Sequence, residues 1–344
     1  MAEYISFQPN DYFNATLYTG NSTNDTDITG VGFNPDLVWI KDRDASENHW
    51  LQDNVRGILY DISSNDTGPQ VQNNFVSETI SNGFTLSNSQ EVNESGQDYV
   101  SWNWKAGTTS GISGGTITPS AYSFNTTSGF SAVAYTGTGS NATVPHGLGA
   151  VPELILVKSL SLTANWIVYQ GSNTAAPETE KLNLNENYAT SDNDTMWNDT
   201  APTSSVFSLG VNTDVNGSGS TYIAYCFAPK KGYSHFGQYI GNGNANGPFV
   251  YLGFRPAWLM IKRTDDTGKW IIMDSKRLGY NLSNKVLYAN VDNAEESAST
   301  ALYSNGFKVR ETWDAVNANT GEFIYAAFAE FPIVSSNDVP TVAR

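Results

Sequence analysis

Apolar residues come in short runs cut by Gly, Asn, Asp and Pro, and nowhere hold a helical period over the length of an ordinary helix. YVSWNWK alternates strictly. Tyr99, Ser101, Asn103 and Lys105 fall on one side and Val100, Trp102 and Trp104 on the other, the period of a strand with one packed face. PDLVWIK and PELILVK are apolar almost throughout, which predicts central strands covered on both faces.

These strands recur in a fixed order, three times over. Each segment opens on a Tyr two positions before a Gly (Tyr18, Tyr135, Tyr239), followed by a Pro leading into an apolar strand that ends in Lys (Pro35, Pro152, Pro256). The Tyr-to-Pro interval is 17 in all three. A Trp-led strand follows at Trp50, Trp166 and Trp270, at Pro-to-Trp intervals of 15, 14 and 14. Each segment then carries a short Phe strand (Phe84, Phe207, Phe307) and closes on an aromatic strand beginning at Tyr99, Tyr222 or Phe323. The expected fold is all-β: three tandem homologous β-sandwich or jelly-roll-like modules, each of about six to eight short strands. The modules are expected over 1–107, with an N-terminal arm, over 129–230, and over 231–344, with a C-terminal tail. The Gly/Ser/Thr-rich stretch 108–128 reads as a linker, whereas the tight KKGYS junction predicts closer packing of modules two and three.

Composition narrows the function. The chain has 344 residues and a net charge of −16, so nucleic acid and anionic membrane surfaces are excluded as partners. Charged residues are only 15% of the chain, and its polarity comes from Asn, Ser, Thr and Gly. No apolar run approaches the roughly 20 residues of a bilayer span, and the N-terminus lacks a secretory pattern, so synthesis in a cytoplasm is expected. Cys226 is the single cysteine and reads as a buried small hydrophobe.

Candidate chemistry is sparse. His49, His146 and His235 occupy no common position in the three segments, unlike a repeated catalytic base. No serine-hydrolase elbow, P-loop, dinucleotide fingerprint or HExxH occurs, and GNGNANG at 241–247 reads as a turn. Asp42, Asp44 and Glu47, and Asp265 and Asp266 at the matching place, are the carboxylates a glycosidase would need; the second segment has Ser161 and Thr163 there, so a solvated turn is the better reading. Asp25, Asp27 and the Asp192–Asp194 stretch have the oxygen density of a calcium site without an EF-hand pattern, so no cofactor is expected and calcium carries low weight. Trp39, Trp258 and the aligned Trp50, Trp166 and Trp270 recur inside strands and read as core. Trp197 and Trp313, in polar loops, are the weak candidates for a ligand contact.

YTGN followed by GFNPDLVWIK and HWLQDNVRG, then SGFSAVAYTGTGSNATVPHGLG with VPELILVK, resembles a family of uncharacterised domains in virion proteins of tailed phages, many from marine bacteria. The start ISFQPNDYFNATLYTG and the end NDVPTVAR share the likeness, so it spans essentially the whole chain. The resemblance implies β-rich triplicated modules and supplies no catalytic residues. The expectation is a non-enzymatic virion structural protein on the particle exterior, as a capsid decoration or accessory protein, contacting other virion proteins as a homo-oligomer. The alternatives are a tail-fibre or spike component that binds a host surface glycan through the loops Tyr169–Thr203 and Asp274–Thr300, and a polysaccharide depolymerase.

Overall fold

The computed structural model describes residues 7–277 and 285–330, with a short strand pair at Ile333–Val334 and Pro340–Thr341. Residues 1–6 of the expected arm, the rest of the C-terminal tail and 278–284 of the Asp274–Thr300 loop lie outside the described residues.

The first segment folds as β1 (Phe13–Thr19), β2 (Thr26–Thr29), β3 (Leu37–Asp42), β4 (Trp50–Asp53), β5 (Ile62–Ser63), β6 (Val76–Ile80), β7 (Gly83–Leu86) and β8 (Asp98–Trp104). The second comprises β9 (Ala121–Asn125), β10 (Phe130–Thr136), β11 (Ala142–Pro145), β12 (Leu154–Ser159), β13 (Ile167–Gln170), β14 (Glu180–Asn183), β15 (Ser191–Asp192), β16 (Val206–Leu209) and β17 (Thr221–Phe227). The third holds β18 (Ser234–Ile240), β19 (Phe249–Tyr251), β20 (Pro256–Arg263), β21 (Ile271–Asp274), β22 (Leu287–Tyr288), β23 (Thr300–Tyr303), β24 (Gly306–Val309) and β25 (Glu322–Ala329). The fold is all-β, and among the described residues every strand pairing is antiparallel. Helices are single turns, among them α1 (Gln90–Asn93), α2 (Asp194–Trp197), α3 (Thr213–Asn216) and α4 (Asp314–Asn317). No helix among the described residues is long and apolar enough to cross a membrane.

Three large sheets run in the same order: β1-β8-β3-β4-β5, β10-β17-β12-β13-β14 and β18-β25-β20-β21-β22. In the second, β9 extends the β10 edge and β15 the β14 edge. The 108–128 stretch therefore carries a strand, because Tyr122, Ser123 and Phe124 within it suit a half-buried edge strand and pair with Val133, Ala132 and Ser131. A small sheet covers one face of each large one: β2-β7-β6, β11-β16 and β19-β24-β23. Gly83 and Gly306 permit this layering, since a Cβ there would stand 1.9 and 2.0 Å from the facing carbonyls of Ile28 and Val250.

Alternation along the closing strands divides the apolar side chains between two cores. Tyr222, Ala224 and Cys226 point into the sandwich with the small sheet, while Ile223, Tyr225 and Phe227 point the other way. The same split separates Phe323, Tyr325 and Ala327 from Ile324, Ala326 and Phe328. The second set of faces, from all three sheets, meets in one core. At its centre the Trp104 ring lies 6.1 Å from Phe227, 5.7 Å from Trp258 and 5.6 Å from Phe328. One consequence corrects the reading of YVSWNWK as a strand with one packed face. Ser101 and Asn103 are also fully buried, and Asn103 donates to the Asn14 and Ser101 carbonyls. A strand between two cores buries its polar face too, provided those groups find partners.

Candidate functional site

The positions marked by recurrence fall into two constellations, one inside each sandwich and one between sheets. In each sandwich the opening Tyr stacks on the first ring of the closing strand: Tyr18 on Tyr99 at 5.0 Å, Tyr135 on Tyr222 at 5.2 Å and Tyr239 on Phe323 at 4.9 Å. Its hydroxyl donates to a carbonyl of the helical turn, Val92 at 2.8 Å and Val215 and Val316 at 2.7 Å. Phe84, Phe207 and Phe307 meet these tyrosines edge-on. Next to each carbonyl stands a buried asparagine, Asn93, Asn216 or Asn317, whose amide donates to two loop carbonyls and whose oxygen accepts from Asn21, Thr138 or Asn242. Burial raises all three tyrosine pKa values well above the ordinary range, so these hydroxyls are structural donors.

Pro35, Pro152 and Pro256 lead into β3, β12 and β20, and the lysines that end the apolar runs of these strands turn inward. Lys41, Lys158 and Lys262 are fully buried, and burial pulls each pKa down to about 8. Each ammonium donates to backbone carbonyls: Asp42 and Ala45, Thr67 and Ala164, Asn187 and Arg263. Two of these bonds cross between sheets, Lys158 to the first and Lys262 to the second. The carbonyl two residues past each lysine also accepts from a loop of a neighbouring sheet, Leu160 from Gln70, Thr264 from Thr190 and Arg43 from Glu295. Second joins first, third joins second, and first joins third. The junctions close a ring.

The indoles follow the same rule, with one correction. Trp166 Nε1 donates to the Ser63 carbonyl at 2.7 Å and Trp270 Nε1 to the Asn183 carbonyl at 2.8 Å. The backbone N–H of each donates to an asparagine side-chain oxygen, Asn185 and Asn290; in the first sheet the residue so held is His49, which donates to Asn65. Trp50 pairs with Ile40, as Ile167 pairs with Val157, so it stands one residue past the Trp166 position. With His49 in place the interval from Pro35 is 14, as in the other two. Trp50 instead packs on Phe75 and donates to Glu91.

His49 accepts from the Trp39 indole on Nδ1 at 3.0 Å, which puts its proton on Nε2. Nε2 makes no hydrogen bond of ordinary geometry. Burial and the nearby Lys41 charge hold His49 well below the usual histidine pKa, with the Tyr288 backbone opposing, so the ring is neutral. His146 is held by the Thr203 carbonyl and the Leu148 amide, and His235 stacks on Tyr325 while sharing a hydrogen bond with its hydroxyl. Burial lowers both pKa values.

Two buried ion pairs complete the junctions, and neither was singled out from sequence. Asp53 and Arg56 meet at 2.5 Å, and Asp53 accepts from Tyr225 of the second sheet at 2.6 Å. Asp274 and Arg277 meet at 2.6 Å, and Asp274 accepts from Trp102 of the first sheet at 3.0 Å. Gln170 stands at the matching place in the second sheet, where Leu154 opposes it as Leu37 opposes Asp53.

The other singled-out residues are dispersed. Trp197 is buried, with its N–H on the Glu180 carbonyl at 3.0 Å and its ring against Tyr169. Trp313 is half-buried against Tyr288. Asp42 caps the Asp44 and Ala45 amides, Asp44 accepts from the Asp98 amide, and Asp265 binds Arg263. Asp27 accepts from Thr85. Among the described residues no group of three or more His, Cys, Asp or Glu side chains could hold a metal ion.

Asp61 is the buried acid with a measurable signature. It accepts from Gln52 and the Asn73 amide, yet burial holds its pKa at about 6 against an ordinary 3.8. Between these values the folded chain keeps a proton that the unfolded chain has released. The stabilisation is therefore complete below pH 4 and lost as pH rises to 6, on the order of 2–3 kcal/mol. Asp61→Asn keeps the site neutral, and its amide can donate to Gln52 Oε1, which has no partner. Urea unfolding of both proteins at pH 4.5 and 6.5 is expected to show the variant gaining on the parent by about 2 kcal/mol at the higher pH.

No curated protein and no solved structure matches the chain. One family model does, continuously through all three sheets: over residues 8–332 the match is to a domain of unknown function (DUF7483), and the chain belongs to that family.

Proposed function

We propose that the chain is a structural protein displayed on the exterior of a tailed-phage particle, as a capsid decoration or accessory protein, and that its three sandwiches are copies of one ancestral module. The observation that carries this reading is that the recurring Tyr, Asn, Lys and Trp positions all hold the chain to itself: each sandwich has its own Tyr-Asn clasp, and each junction is stitched by the same backbone position. Equal strand order in the three large sheets supports the copying. The net charge of −16 and a skin rich in Asn, Ser and Thr suit many copies crowded in solvent. Each copy would attach to other virion proteins through a modest face, and the shell would gain its stability from number. Quantitative mass spectrometry of purified particles tests this. Hundreds of copies per particle are expected; a small multiple of three or six would move the protein to the tail, and none would refute a virion role.

A further inference from the structure

The outward face of β19-β24-β23 differs from its two counterparts in a way the fold does not require. Its register sets Tyr251, Gly306 and Tyr303 in one row and Phe249, Lys308 and Ala301 in the next. Phe249 and Tyr251 are 46% and 68% exposed, among the most exposed large apolar side chains described. Phe249 leans across Gly306, its Cζ 3.2 Å from where a Cβ would stand, toward Tyr303 at 6.1 Å. Two strand spacings put Tyr251 and Tyr303 roughly 10 Å apart, so the three rings form a continuous aromatic shelf across the small sheet. Val250 opposite Phe307, Ile28 opposite Phe84 and Val144 opposite Phe207 mark one place in the three small sheets. There the first sheet presents Asp27 and Thr29 and the second Thr143 and Pro145, so the same layer folds without rings.

Charge selects the occupant. The chain has 34 acidic against 18 basic residues, yet no outward position of these three strands is acidic, and Lys308 stands in the middle of the shelf. Arg310 continues the same side of the chain, 3.4 Å from the Tyr303 hydroxyl. We propose that this shelf binds an acidic saccharide, whose C–H face lies on Tyr251 and Phe249 while its carboxylate or sulfate pairs with Lys308 and Arg310. The site holds wherever on a particle the chain sits, and copy number does not bear on it.

Calorimetric titration of the full chain with hexasaccharides of galacturonate, alginate and chondroitin sulfate, and with neutral maltohexaose, tests the proposal. At least one acidic probe is expected to bind, with maltohexaose silent. Tyr251→Ala and Lys308→Gln should each weaken binding roughly tenfold at unchanged thermal stability, and Lys308→Gln should flatten the salt dependence. No binding by any acidic probe, equal binding of maltohexaose, or affinity unmoved by both substitutions would overturn it.

Discussion

Trp104→Ala is expected to destabilise the whole chain by about 3–5 kcal/mol, the cost of emptying a large buried aromatic site. The ring touches Phe13 of its own sheet, Phe227 of the second, and Trp258 and Phe328 of the third, so the cavity opens where no single sheet can collapse to fill it. All three sheets should loosen together. The Trp104 indole nitrogen has no hydrogen-bond partner, so Trp104→Phe loses no bond and is expected to cost less than about 1.5 kcal/mol. Trp102→Phe strips the donor from Asp274 and should cost more than Trp104→Phe, although the same ring is shortened. Chemical unfolding of the three variants checks the order.

The second large effect is expected at the junction of first and second sheets. Arg56→Met leaves the fully buried Asp53 carboxylate with the Tyr225 hydroxyl and its local amides, and removal of one partner of a buried pair costs about 3–5 kcal/mol. The molecule already contains a neutral solution. The second sheet has Gln170 and Asn173 where the first has Asp53 and Arg56, and Gln170 Oε1 caps the Ser172 amide as Asp53 caps Val55. The double substitution Asp53→Gln with Arg56→Asn is therefore expected to recover most of the loss. A double-mutant cycle measured by urea unfolding would contradict this if the double variant were as unstable as Arg56→Met alone.

What could be read from sequence was what alternation and spacing encode. The Tyr-to-Pro interval located the sheets, and the apolar runs into Lys41 and Lys158 located central strands. Trp50 falls out of line because a letter repeats where a role does not: His49 holds the position that Trp166 and Trp270 hold, and the strand register together with the His49 N–H bond to Asn65 makes the equivalence visible. The lysines were seen as strand ends, but their purpose lies in carbonyls of Thr67 and Asn187, in loops of unrelated sequence. Of the shared core only the tight KKGYS junction, which points to packing of the second and third sheets, leaves a trace in the sequence; the part of the first sheet in it leaves none. A strand covered on both faces has one composition whether the second cover is its own sandwich or a neighbouring sheet, and the Gly/Ser wording around 108–128 pointed toward separation. The acidic-saccharide shelf was missed for a related reason: Phe249 and Tyr251 sit in an ordinary apolar run, and only register shows that they face outward.

Native-state hydrogen exchange tests the closed ring most directly, by comparing the central amides of β8, β17 and β25. One closed block predicts that all three sets exchange through the same global opening, with equal free energies that Trp104→Ala lowers together. Three different opening free energies, with only the β8 set responding to Trp104→Ala, would contradict it.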